Sequence, residues 1–503
     1  MSALRFTDFS HALAHWAAHE GGKTFLMDLG SGATYTYADF DRHVSAAVHL
    51  LRSEGVRLGK IVSVRIRNSA DFLIIYFACI RMGAIVNPFP ASTSDEELSK
   101  ALAFIEPRLV ILERCAKKLP ARTGTLLIGC GNKSLFSQLK PYEGRRASGT
   151  VDSKKAAALY LSSGTTGDPK GMLFSHENII ARANAVCRDF GHGHDTVHLG
   201  FLPMGHTSIT DYSLLPVMYA GGTLIIAENF LSIRQDFWRI IAEDRIRYVQ
   251  TVPTVLFSIL NTGYPDYDST KLILPYVACG SAPLPLSTQQ EFKNKFGIPV
   301  ANLYGCSETG PAFFDDPRIK GWRPGSIGVP LSVHACELVD EQGKVVSRGV
   351  GEIAIKSKTV CIGYYKNPDA YAAAMRVGFF LTGDLARRDA KGRYLYADRK
   401  KDIIIKGGSN IFPGEIDEVL FRHPRVLESS TIGVPHDFFG EDIVSFVVST
   451  GDVTDVELIA HCEKHLQYMK CPARIIFLPV IPKTHSGKLL RKKLRALYQE
   501  RYA

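Results

Sequence analysis

Hydroxyl groups, glycines and a lysine are concentrated at residues 159–171, which read LYLSSGTTGDPKG. The segment opens on an apolar, strand-like run and precedes SHENIIARANAV, a pattern typical of a helix. Glycine lets backbone N–H groups approach an anion closely, and hydroxyls and an ammonium supply further donors, so this composition suits a polyphosphate. The GxxxxGK[ST] phosphate-binding sequence is not matched, because Pro169 precedes Lys170 and Gly171 follows it. The sequence therefore predicts a phosphate-binding loop of another kind.

The elements that must position this loop follow from the pattern of apolar residues. Up to about residue 390, strand-like runs alternate with helix-like ones, which is typical of βαβ units and mostly parallel sheets. The strand-like runs lie at residues 60–67, 84–89, 109–113, 125–129, 158–162, 222–227, 248–252 and 276–280. We therefore predict an α/β fold whose large N-terminal domain contains parallel-rich βαβ sheets with packed helices.

The chain changes character near residues 399–402, where charged RKKD is followed by three isoleucines. The remainder contains a helical pattern at 415–422 and strand patterns at 429–435 and 442–449. About a hundred residues suffice for a small domain. The sequence predicts an N-terminal domain at 1–398 and a small α+β C-terminal domain at 399–503.

Composition excludes several classes of protein. With 503 residues, 46% hydrophobic and 22% charged, the chain is globular and neither disordered nor a disulfide scaffold. The most apolar run, Phe72 to Ile80, ends at Arg81 and is too short to span a bilayer. The N-terminal residues lack the continuous apolar stretch of a secretion signal, so a cytoplasmic location is expected. The ten cysteines form no CxxC pair, and we predict free thiols.

The positive charge has one concentration. The formal net charge is +10, and from Lys483 to the C-terminus seven basic residues accompany one glutamate. A solvated helix face, an anionic small molecule or an acidic carrier protein would each explain this tail. Nucleic acid is disfavoured, because no basic pattern interleaved with aromatics and no recognition helix accompanies the charge.

The segment SSGTTGDPKG closely resembles the signature loop of the adenylate-forming (ANL) superfamily, which includes acyl- and aryl-CoA ligases, luciferases and peptide-synthetase adenylation domains. Further motifs of that superfamily follow in order: LPMGH (202–206), YGCSETG (304–310), GEIAI (351–355), LTGD (381–384), DRKKDIIIKGGSNIFPGEIDEVL (398–420) and PKTHSGKLLRKKLR (482–495). The resemblance implies that ATP, with Mg²⁺, converts a carboxylic acid to an acyl-adenylate, and that coenzyme A accepts the acyl group.

The resemblance also assigns roles to individual residues. Tyr304 would stack on adenine, while Asp384 and Arg399 would contact the ribose. Ser307, which replaces a more usual threonine, would donate to the α-phosphate, and Glu308 would bind Mg²⁺, a cation that prefers oxygen ligands. The full ATP/AMP-binding set is Ser162, Ser163, Gly164, Thr165, Thr166, Gly167, Lys170, Gly280, Ser281, Ala282, Tyr304, Gly305, Ser307, Asp384, Arg399 and Lys488.

Lys488 matches the family's catalytic lysine, and His206, Ser307 and Glu308 complete the catalytic set. An ammonium between the substrate carboxylate and the α-phosphate offsets the repulsion of two anions. Lys483, five residues earlier, is not expected to take this role. By the same resemblance the small domain is mobile: it would turn about Lys401 and present a thiol channel formed by Lys406, Gly407 and Gly408.

The predicted acid pocket is neutral and largely apolar. Its residues are Met204, His206, Thr207, Tyr212, Val277, Ala278, Cys306, Gly310 and Phe313. Relatives that activate amino acids carry an aspartate at the position of Thr207, so a substrate ammonium would here lack a counter-charge unless Asp211 supplied it. An uncharged tail is expected. Residues 237–256 and 280–286 look most like fatty-acyl and related CoA ligases, with chain length and aromaticity left open.

Two alternatives remain at this point. The acceptor could be the phosphopantetheine arm of a carrier protein instead of coenzyme A, because both present the same thiol. The second alternative to the CoA ligase is a catalytically silent nucleotide-binding module. It is disfavoured because Glu308, Asp384, Arg399 and Lys488 are all present.

Overall fold

The computed structural model of the protein describes residues 5–114, 123–129, 133–149, 151–162, 170–483 and 489–502, with the side chain of Ser162 left out. The α-helices in these ranges are α1 (Phe9–His19), α2 (Tyr37–Ser53), α3 (Ala70–Met82), α4 (Asp95–Ile105), α5 (Leu135–Leu139), α6 (His176–Phe190), α7 (Thr207–Ile209), α8 (Leu215–Ala220), α9 (Phe230–Ile233), α10 (Phe237–Glu243), α11 (Pro253–Leu260), α12 (Leu286–Phe296), α13 (Pro368–Ala374), α14 (Pro413–Phe421), α15 (Asp455–Glu463) and α16 (Arg491–Arg501).

The strands follow in chain order. They are β1 (Thr24–Asp28), β2 (Ala33–Thr36), β3 (Ile61–Arg65), β4 (Ile85–Phe89), β5 (Leu109–Leu112), β6 (Gly124–Leu127), β7 (Ala156–Ser162), β8 (Lys170–Ser175), β9 (Val197–Gly200), β10 (Thr223–Ile226), β11 (Tyr248–Thr251), β12 (Val277–Cys279), β13 (Val300–Cys306), β14 (Gly310–Phe314), β15 (Val329–Pro330), β16 (Ala335–Val339), β17 (Val350–Lys356), β18 (Gly363–Tyr364), β19 (Met375–Arg376), β20 (Phe379–Arg388), β21 (Tyr394–Arg399), β22 (Ile404–Lys406), β23 (Ser409–Ile411), β24 (Val426–His436), β25 (Gly440–Ser449) and β26 (Arg474–Phe477).

Two large sheets make up most of the N-terminal part. One has the order β15-β14-β13-β12-β11-β9-β10-β1-β2, and the other β18-β8-β7-β4-β3-β5-β6. Their central pairs are parallel, while β2, β14, β15, β8 and β18 pair antiparallel at the edges. Every residue of β3, β5 and β11 is buried, as expected for strands covered on both faces. The predicted parallel-rich α/β fold is confirmed.

Helix α3 forms part of the main core. Ser69 caps its first turn, Gly83 ends it in a left-handed conformation with φ of 70°, and every residue except Asp71 is buried. The charge of Arg81 is balanced by Asp41, whose Oδ1 lies 2.6 Å from its Nη2. Throughout the described ranges, the helices are too short or too polar for a bilayer crossing.

Two antiparallel sheets complete the fold. The order β16-β17-β20-β19, with β21 beside β20, belongs to the N-terminal part, and a 3₁₀ turn at Lys400–Asp402 follows β21. Strands β22 to β26 form a separate sheet whose own core includes Ile404, Leu420 and Val447. The predicted helix at 415–422 is α14, and the predicted strands at 429–435 and 442–449 lie within β24 and β25.

The cysteines that the structure describes are free, in agreement with the sequence prediction. They are Cys79, Cys187, Cys279, Cys306, Cys336, Cys361, Cys462 and Cys471. The other two, Cys115 and Cys130, lie outside the described residues.

Gly205 brings the LPMGH segment against β4, and this contact leaves no room for a side chain. A Cβ at Gly205 would lie 2.0 Å from the nitrogen of Pro90 and 2.2 Å from the carbonyl carbon of Phe89. Because backbone must then shift, we expect Gly205→Ala to lower the free energy of unfolding by about 1–3 kcal/mol. Denaturant unfolding measures this. Gly263→Ala is the matched control, since a Cβ there meets nothing within 4 Å; equal stability of the two variants would contradict the prediction.

Candidate active site

Three of the predicted nucleotide-binding side chains are in contact. Tyr304, near the end of β13, donates its hydroxyl to Oδ2 of Asp384 on β20 at 2.8 Å. Arg399, paired with Asp384 in the β20–β21 register, places Nε 3.1 Å from Oδ1. Burial, with a further contribution from Asp384, raises the pKa of Tyr304 well above its usual value, so the phenol stays protonated as this bond requires.

The ring of Tyr304 rests on other aromatic side chains. Its centroid lies 5.5 Å from that of Phe313 and 6.2 Å from that of Tyr396. Phe313, predicted to line the acid pocket, is completely buried and also packs against Tyr394 at 4.7 Å. The structure therefore places Phe313 in the core that supports Tyr304.

The segment after β12 approaches β13 closely. A Cβ on Gly280 would lie 2.9 Å from the carbonyl oxygen of Leu303, so glycine is required for this approach. Ser281 has a φ of 69°, which non-glycine residues adopt rarely and mostly at functional sites. Ser281 is exposed and Ala282 half-buried. Backbone groups at 280–282 thus lie beside the strand that carries Tyr304.

Glu308 lies opposite Lys170, the residue that closes the predicted phosphate loop. Nζ of Lys170 is 3.4 Å from Oε1 of Glu308 and 3.7 Å from the ring centroid of Tyr364. The Tyr364 hydroxyl donates to the same Oε1 at 3.2 Å. Segments far apart in the chain therefore meet at one carboxylate. Sequence reasoning missed Tyr364, because nothing in its local pattern relates it to Glu308.

Part of the predicted site cannot be placed. Ser163, Gly164, Thr165, Thr166, Gly167 and Lys488 lie outside the described residues. The backbone of Ser162 pairs with that of Lys170 between β7 and β8, so the two residues that flank 163–169 lie next to each other.

Glu308 suits a magnesium ion. Its side chain is 17% exposed, and the carboxylate offers the hard oxygen donors that Mg²⁺ prefers. No cluster of three or more His, Cys, Asp or Glu side chains arranged for a metal occurs among the described residues. Further ligands would accordingly come from phosphate oxygens and water, which is how Mg²⁺ is commonly held.

A buried arginine that sequence reasoning missed fixes the backbone at Glu308. Arg182 on α6 is 1% exposed and donates through Nη2 to the carbonyl oxygens of Ser307 (3.1 Å) and Glu308 (2.9 Å). Its Nε donates to the carbonyl of Thr359 at 2.9 Å, and its Nη1 to Asp211 Oδ2 at 2.9 Å. This guanidinium thus joins four separate segments.

Asp211, the carboxylate considered above for a substrate ammonium, is instead paired with Arg182. It lies in a π-helical turn, Thr210–Leu214, a rare geometry that recurs at functional sites. Burial raises the pKa of Asp211 to about 6, while the charge of Arg182 acts in the opposite direction. With both groups buried and paired to each other, Asp211 is not available to the substrate.

The first group of predicted acid-pocket residues lies near the start of α7. Met204 is buried, and its N–H donates to Asn68 Oδ1 at 2.9 Å. His206 and Thr207 are half-buried, with His206 at the N-cap of α7. The Tyr212 hydroxyl donates to the Tyr304 carbonyl at 3.5 Å, which links this group to the nucleotide residues.

The second group lies on β12 and in the β13–β14 turn. Val277 and Ala278 are both fully buried and belong to different cores; Ala278 shares one with Tyr212. Gly310, with φ of 70°, could carry no Cβ, which would lie 2.6 Å from Nε of Arg182. Burial raises the pKa of the Cys306 thiol to about 12, so it stays neutral.

Gly305 also needs its small size. A Cβ there would lie 2.3 Å from the carbonyl oxygen of Gly310 and 3.2 Å from the hydroxyl of Tyr212. The exposed backbone of Gly305 therefore lies directly between predicted nucleotide and acid residues.

The predicted hinge and thiol-channel residues lie in the C-terminal part. Lys401 is exposed in the 3₁₀ turn after β21. Lys406 is buried, and its Nζ lies 2.6 Å from Asp442 Oδ1, so its charge is already balanced. Gly407 and Gly408 follow with φ of 56° and 79°, a left-handed turn that glycine adopts without strain.

A second arginine missed by sequence reasoning connects the two parts. Arg491, at the start of α16, places Nη1 2.7 Å from Asp398 Oδ1 and 3.6 Å from Asp402 Oδ2. Its Nη2 lies 3.3 Å from Asp417 Oδ2. Asp398 precedes Lys401 and the other two aspartates follow it, so this cluster bridges the predicted hinge.

The family of the chain follows from comparison with known proteins. The chain matches the AMP-binding enzyme model over residues 13–365 and the AMP-binding enzyme C-terminal domain model over residues 415–488. The first match covers more than half of the chain, and the protein belongs to the AMP-binding enzyme family.

Curated and solved relatives agree with this assignment. Sulfoacetate–CoA ligase of Cupriavidus necator is 30% identical over 502 residues, covering 97% of each chain. Bacillus subtilis o-succinylbenzoate CoA synthetase (MenE), solved with its acyl-adenylate intermediate, matches with a TM-score of 0.86 at 25% identity, covering 96% of this chain and 97% of that one.

MatB of Rhodopseudomonas palustris has been solved in two states. Its ATP-bound structure matches with a TM-score of 0.90 at 26% identity, covering 98% of this chain and 100% of that one. The apo structure gives 0.78 at the same identity, covering 99% and 100%. Because the relative is the same, the two scores differ through geometry and not through sequence.

We expect Arg182→Lys to impair nucleotide use. A lysine cannot place donors on three carbonyls and a carboxylate together, so the backbone at Ser307 and Glu308 should shift. The expected result is a fall of at least about tenfold in kcat/KM for ATP, because small misplacements of reacting groups are costly. Pyrophosphate release at varied ATP concentration measures it.

The matched control is Arg81→Lys, which alters another buried arginine that is paired with an aspartate. Both variants should lose about 1.5–3 kcal/mol of unfolding free energy, but only Arg182→Lys should change kcat/KM for ATP. If the two variants behave alike in both assays, Arg182 has no role in positioning Glu308.

Proposed function

We propose that this protein is an AMP-forming carboxylic acid–CoA ligase. The observation that carries the proposal is the meeting of Lys170 and Glu308 beside Tyr304 and Asp384, in a chain that matches the AMP-binding family over most of its length. The named relatives that align with nearly the whole chain are CoA ligases, which supports the same conclusion.

The reaction has two steps. A carboxylate oxygen of the acid attacks the α-phosphorus of ATP, the bond to the β-phosphate oxygen breaks, and pyrophosphate leaves. The thiol of coenzyme A, after losing its proton, then attacks the carbonyl carbon of the acyl-adenylate, and AMP leaves as the thioester forms. Each step needs its reacting groups held in line more than it needs covalent participation by the protein.

The residues that the structure brings together would take different roles in binding the nucleotide for these two steps. Tyr304 and the backbone of 280–282 provide a surface for the base, and the carboxylate of Asp384 can accept hydrogen bonds from ribose hydroxyls. Lys170 can balance phosphate charge, and Glu308 would hold Mg²⁺. When bound, Mg²⁺ neutralises phosphate oxygens and makes pyrophosphate a better leaving group.

The catalytic lysine is proposed to be Lys488, reaching the α-phosphate from the C-terminal lobe. We place the boundary of the lobes between residues 398 and 399, and the pivot at Lys401. Turning there would withdraw Lys488 after the first step and bring Gly407 and Gly408 to the pantetheine arm, with Lys406 held beside them by Asp442. The higher structural similarity to ATP-bound than to apo MatB supports an arrangement suited to the first step.

We propose coenzyme A as the acceptor and the cytoplasm as the location, where both ATP and coenzyme A are found. The relatives' names concern sulfoacetate and o-succinylbenzoate, a short acid and an aryl acid, and they do not point to a long fatty chain. A short or aryl acid is therefore our proposal. Loading of a carrier protein is the alternative that the acceptor assay separates.

Replacing Lys488 should separate the two steps. We expect Lys488→Ala to slow acyl-adenylate formation by about 10²- to 10³-fold, the usual cost of losing one charge-stabilising donor. Thioester formation from supplied acyl-adenylate and coenzyme A should change by less than about threefold. The first step is followed by pyrophosphate release across a panel of short and aryl acids, and the second by chromatography of the thioester.

Lys483→Ala is the control, because Lys483 forms an ion pair with Glu428 and should be dispensable for both steps. Equal loss of both steps in Lys488→Ala would refute the proposed role of the lysine. If no acid yields an adenylate with the unaltered protein, the proposed function itself is wrong. Thioester formed on a carrier protein but not on coenzyme A would establish the alternative acceptor.

Glu308→Gln should change the dependence on magnesium. The amide keeps the size of the side chain and removes the charge, so a higher Mg²⁺ concentration should be needed for half-maximal pyrophosphate release. Loss of a residue that only orients a metal ligand typically costs about 10- to 100-fold in affinity or activity, and we expect the loss of a direct ligand to shift the magnesium titration at least about tenfold. An unchanged magnesium titration would remove Glu308 from the metal site.

A further inference from the structure

A group of polar side chains is buried without hydrogen-bond partners at one end of the candidate acid pocket. His198 on β9, and Tyr248 and Gln250 on β11, are each at least 99% buried. Both ring nitrogens of His198, the Tyr248 hydroxyl and both polar atoms of the Gln250 amide lack a partner within the described part of the chain. Buried polar groups are normally satisfied, and each exception needs an explanation.

These side chains lie together. Tyr248 and His198 are paired in the β9–β11 register, with ring centroids 4.7 Å apart. His192, whose Nδ1 is also without a partner in the described ranges, lies 4.4 Å from His198 and 4.7 Å from Tyr248. Gln250 is two residues beyond Tyr248 on the same strand, so its side chain projects from the same face. We call His192, His198, Tyr248 and Gln250 the polar cluster.

The polar cluster adjoins predicted acid-pocket residues. Gln250 is paired with Ala278 in the β11–β12 register. Tyr248, Ala278 and Tyr212 belong to one buried cluster, in which the ring of Phe190 lies 6.0 Å from that of Tyr248 and 6.1 Å from that of Tyr212. Tyr212 in turn contacts the Tyr304 carbonyl and lies beside Gly305. A continuous path of side chains therefore leads from the nucleotide residues to the polar cluster.

The polar cluster carries no charge at neutral pH. Burial lowers the pKa of His192 to about 3, with Arg318 contributing, and lowers that of His198 well below its usual value. A neutral imidazole, a phenol and an amide each offer both a donor and an acceptor. The neighbouring guanidiniums are already balanced, Arg182 by Asp211 and Arg318 by Asp316.

We propose that the acid carries an uncharged hydrogen-bonding group, such as a hydroxyl or carbonyl, at the end remote from its reacting carboxylate, and that His198, Tyr248 and Gln250 bind this group. The inference rests on the proposed function and specifies its substrate class. A second anionic group, such as the sulfonate of sulfoacetate, is disfavoured because a buried charge needs an opposite charge that the polar cluster does not supply.

The test compares acids that differ only at the remote end. Straight-chain acids of four to ten carbons and benzoates are assayed by pyrophosphate release as three sets: unsubstituted, hydroxylated and dicarboxylic. For the best chain length or ring position, we expect kcat/KM for the hydroxylated acid to exceed that of each counterpart at least about tenfold. A site built to bind a hydroxyl discriminates strongly against analogues that lack one.

Substitutions then assign the preference to residues. Gln250→Leu and Tyr248→Phe should each lower kcat/KM for the hydroxylated acid about 10- to 100-fold and change the unsubstituted acid less than about threefold. Tyr37→Phe is the control, since Tyr37 is equally buried but lies in the main core and donates its hydroxyl to the Gly222 carbonyl at 2.8 Å. It should leave the preference unchanged. Two variants are used so that the inference can still be tested if one of them fails to fold.

The outcomes are distinguishable. If none of the acids causes pyrophosphate release, the proposed function is overturned. Activity in which unsubstituted or dicarboxylic acids equal or exceed the hydroxylated ones would overturn only the present inference. The inference is also wrong if the variants slow hydroxylated and unsubstituted acids equally, because the polar cluster would then serve packing alone.

Discussion

The buried charge of Arg182 is the constraint on which the site depends. A guanidinium that is 1% exposed must be paired and fully hydrogen-bonded, and here it takes one carboxylate and three backbone carbonyls from three segments outside its own helix. Those partners are far apart in the chain, so satisfying the charge specifies how α6, the π-helical turn and the β13–β14 turn fit together. Glu308 takes its position from this arrangement, and Gly310 must lack a side chain because the guanidinium fills the adjoining space.

The two ends of the site follow opposite electrostatic rules. At the nucleotide end, carboxylates and cations are already matched, with Asp384 contacted by Tyr304 and Arg399, and Glu308 by Lys170. Such pre-arranged charge needs little reorganisation when an anionic nucleotide enters. At the other end, the polar cluster is largely buried and neutral, and polar atoms of its side chains have no hydrogen-bond partner within the described part of the chain. Under the proposal above, the acid itself supplies the hydrogen-bond partners of the polar cluster.

Sequence patterns predicted the fold more completely than they predicted the residues of the candidate active site. Runs rich in apolar residues predicted the buried strands β3, β5 and β11, and family motifs singled out Tyr304, Glu308 and Asp384. Arg182, Tyr364 and Arg491 could not be assigned, because their partners lie 29 to 177 residues away and local spacing does not indicate them. One signal was available for Arg182, which interrupts the buried face of α6 with a charge. The placement of Phe313 depends on which face of β14 it occupies, and a motif does not give this.

The ion pairs of Arg491 affect how the C-terminal part can move relative to the N-terminal part. Asp402 and Asp417 follow Lys401 in the chain, as Arg491 does, so their ion pairs with Arg491 can move together with the C-terminal part. Asp398 precedes Lys401 and belongs to strand β21, so its ion pair with Arg491 joins the two parts. Turning about Lys401, as proposed, would break that ion pair and the hydrogen bond from the Gly414 N–H to Asp398 Oδ2 (2.7 Å), and would expose an aspartate that is now 2% accessible. The energy needed to turn the C-terminal part would therefore depend on how readily water and salt replace these contacts.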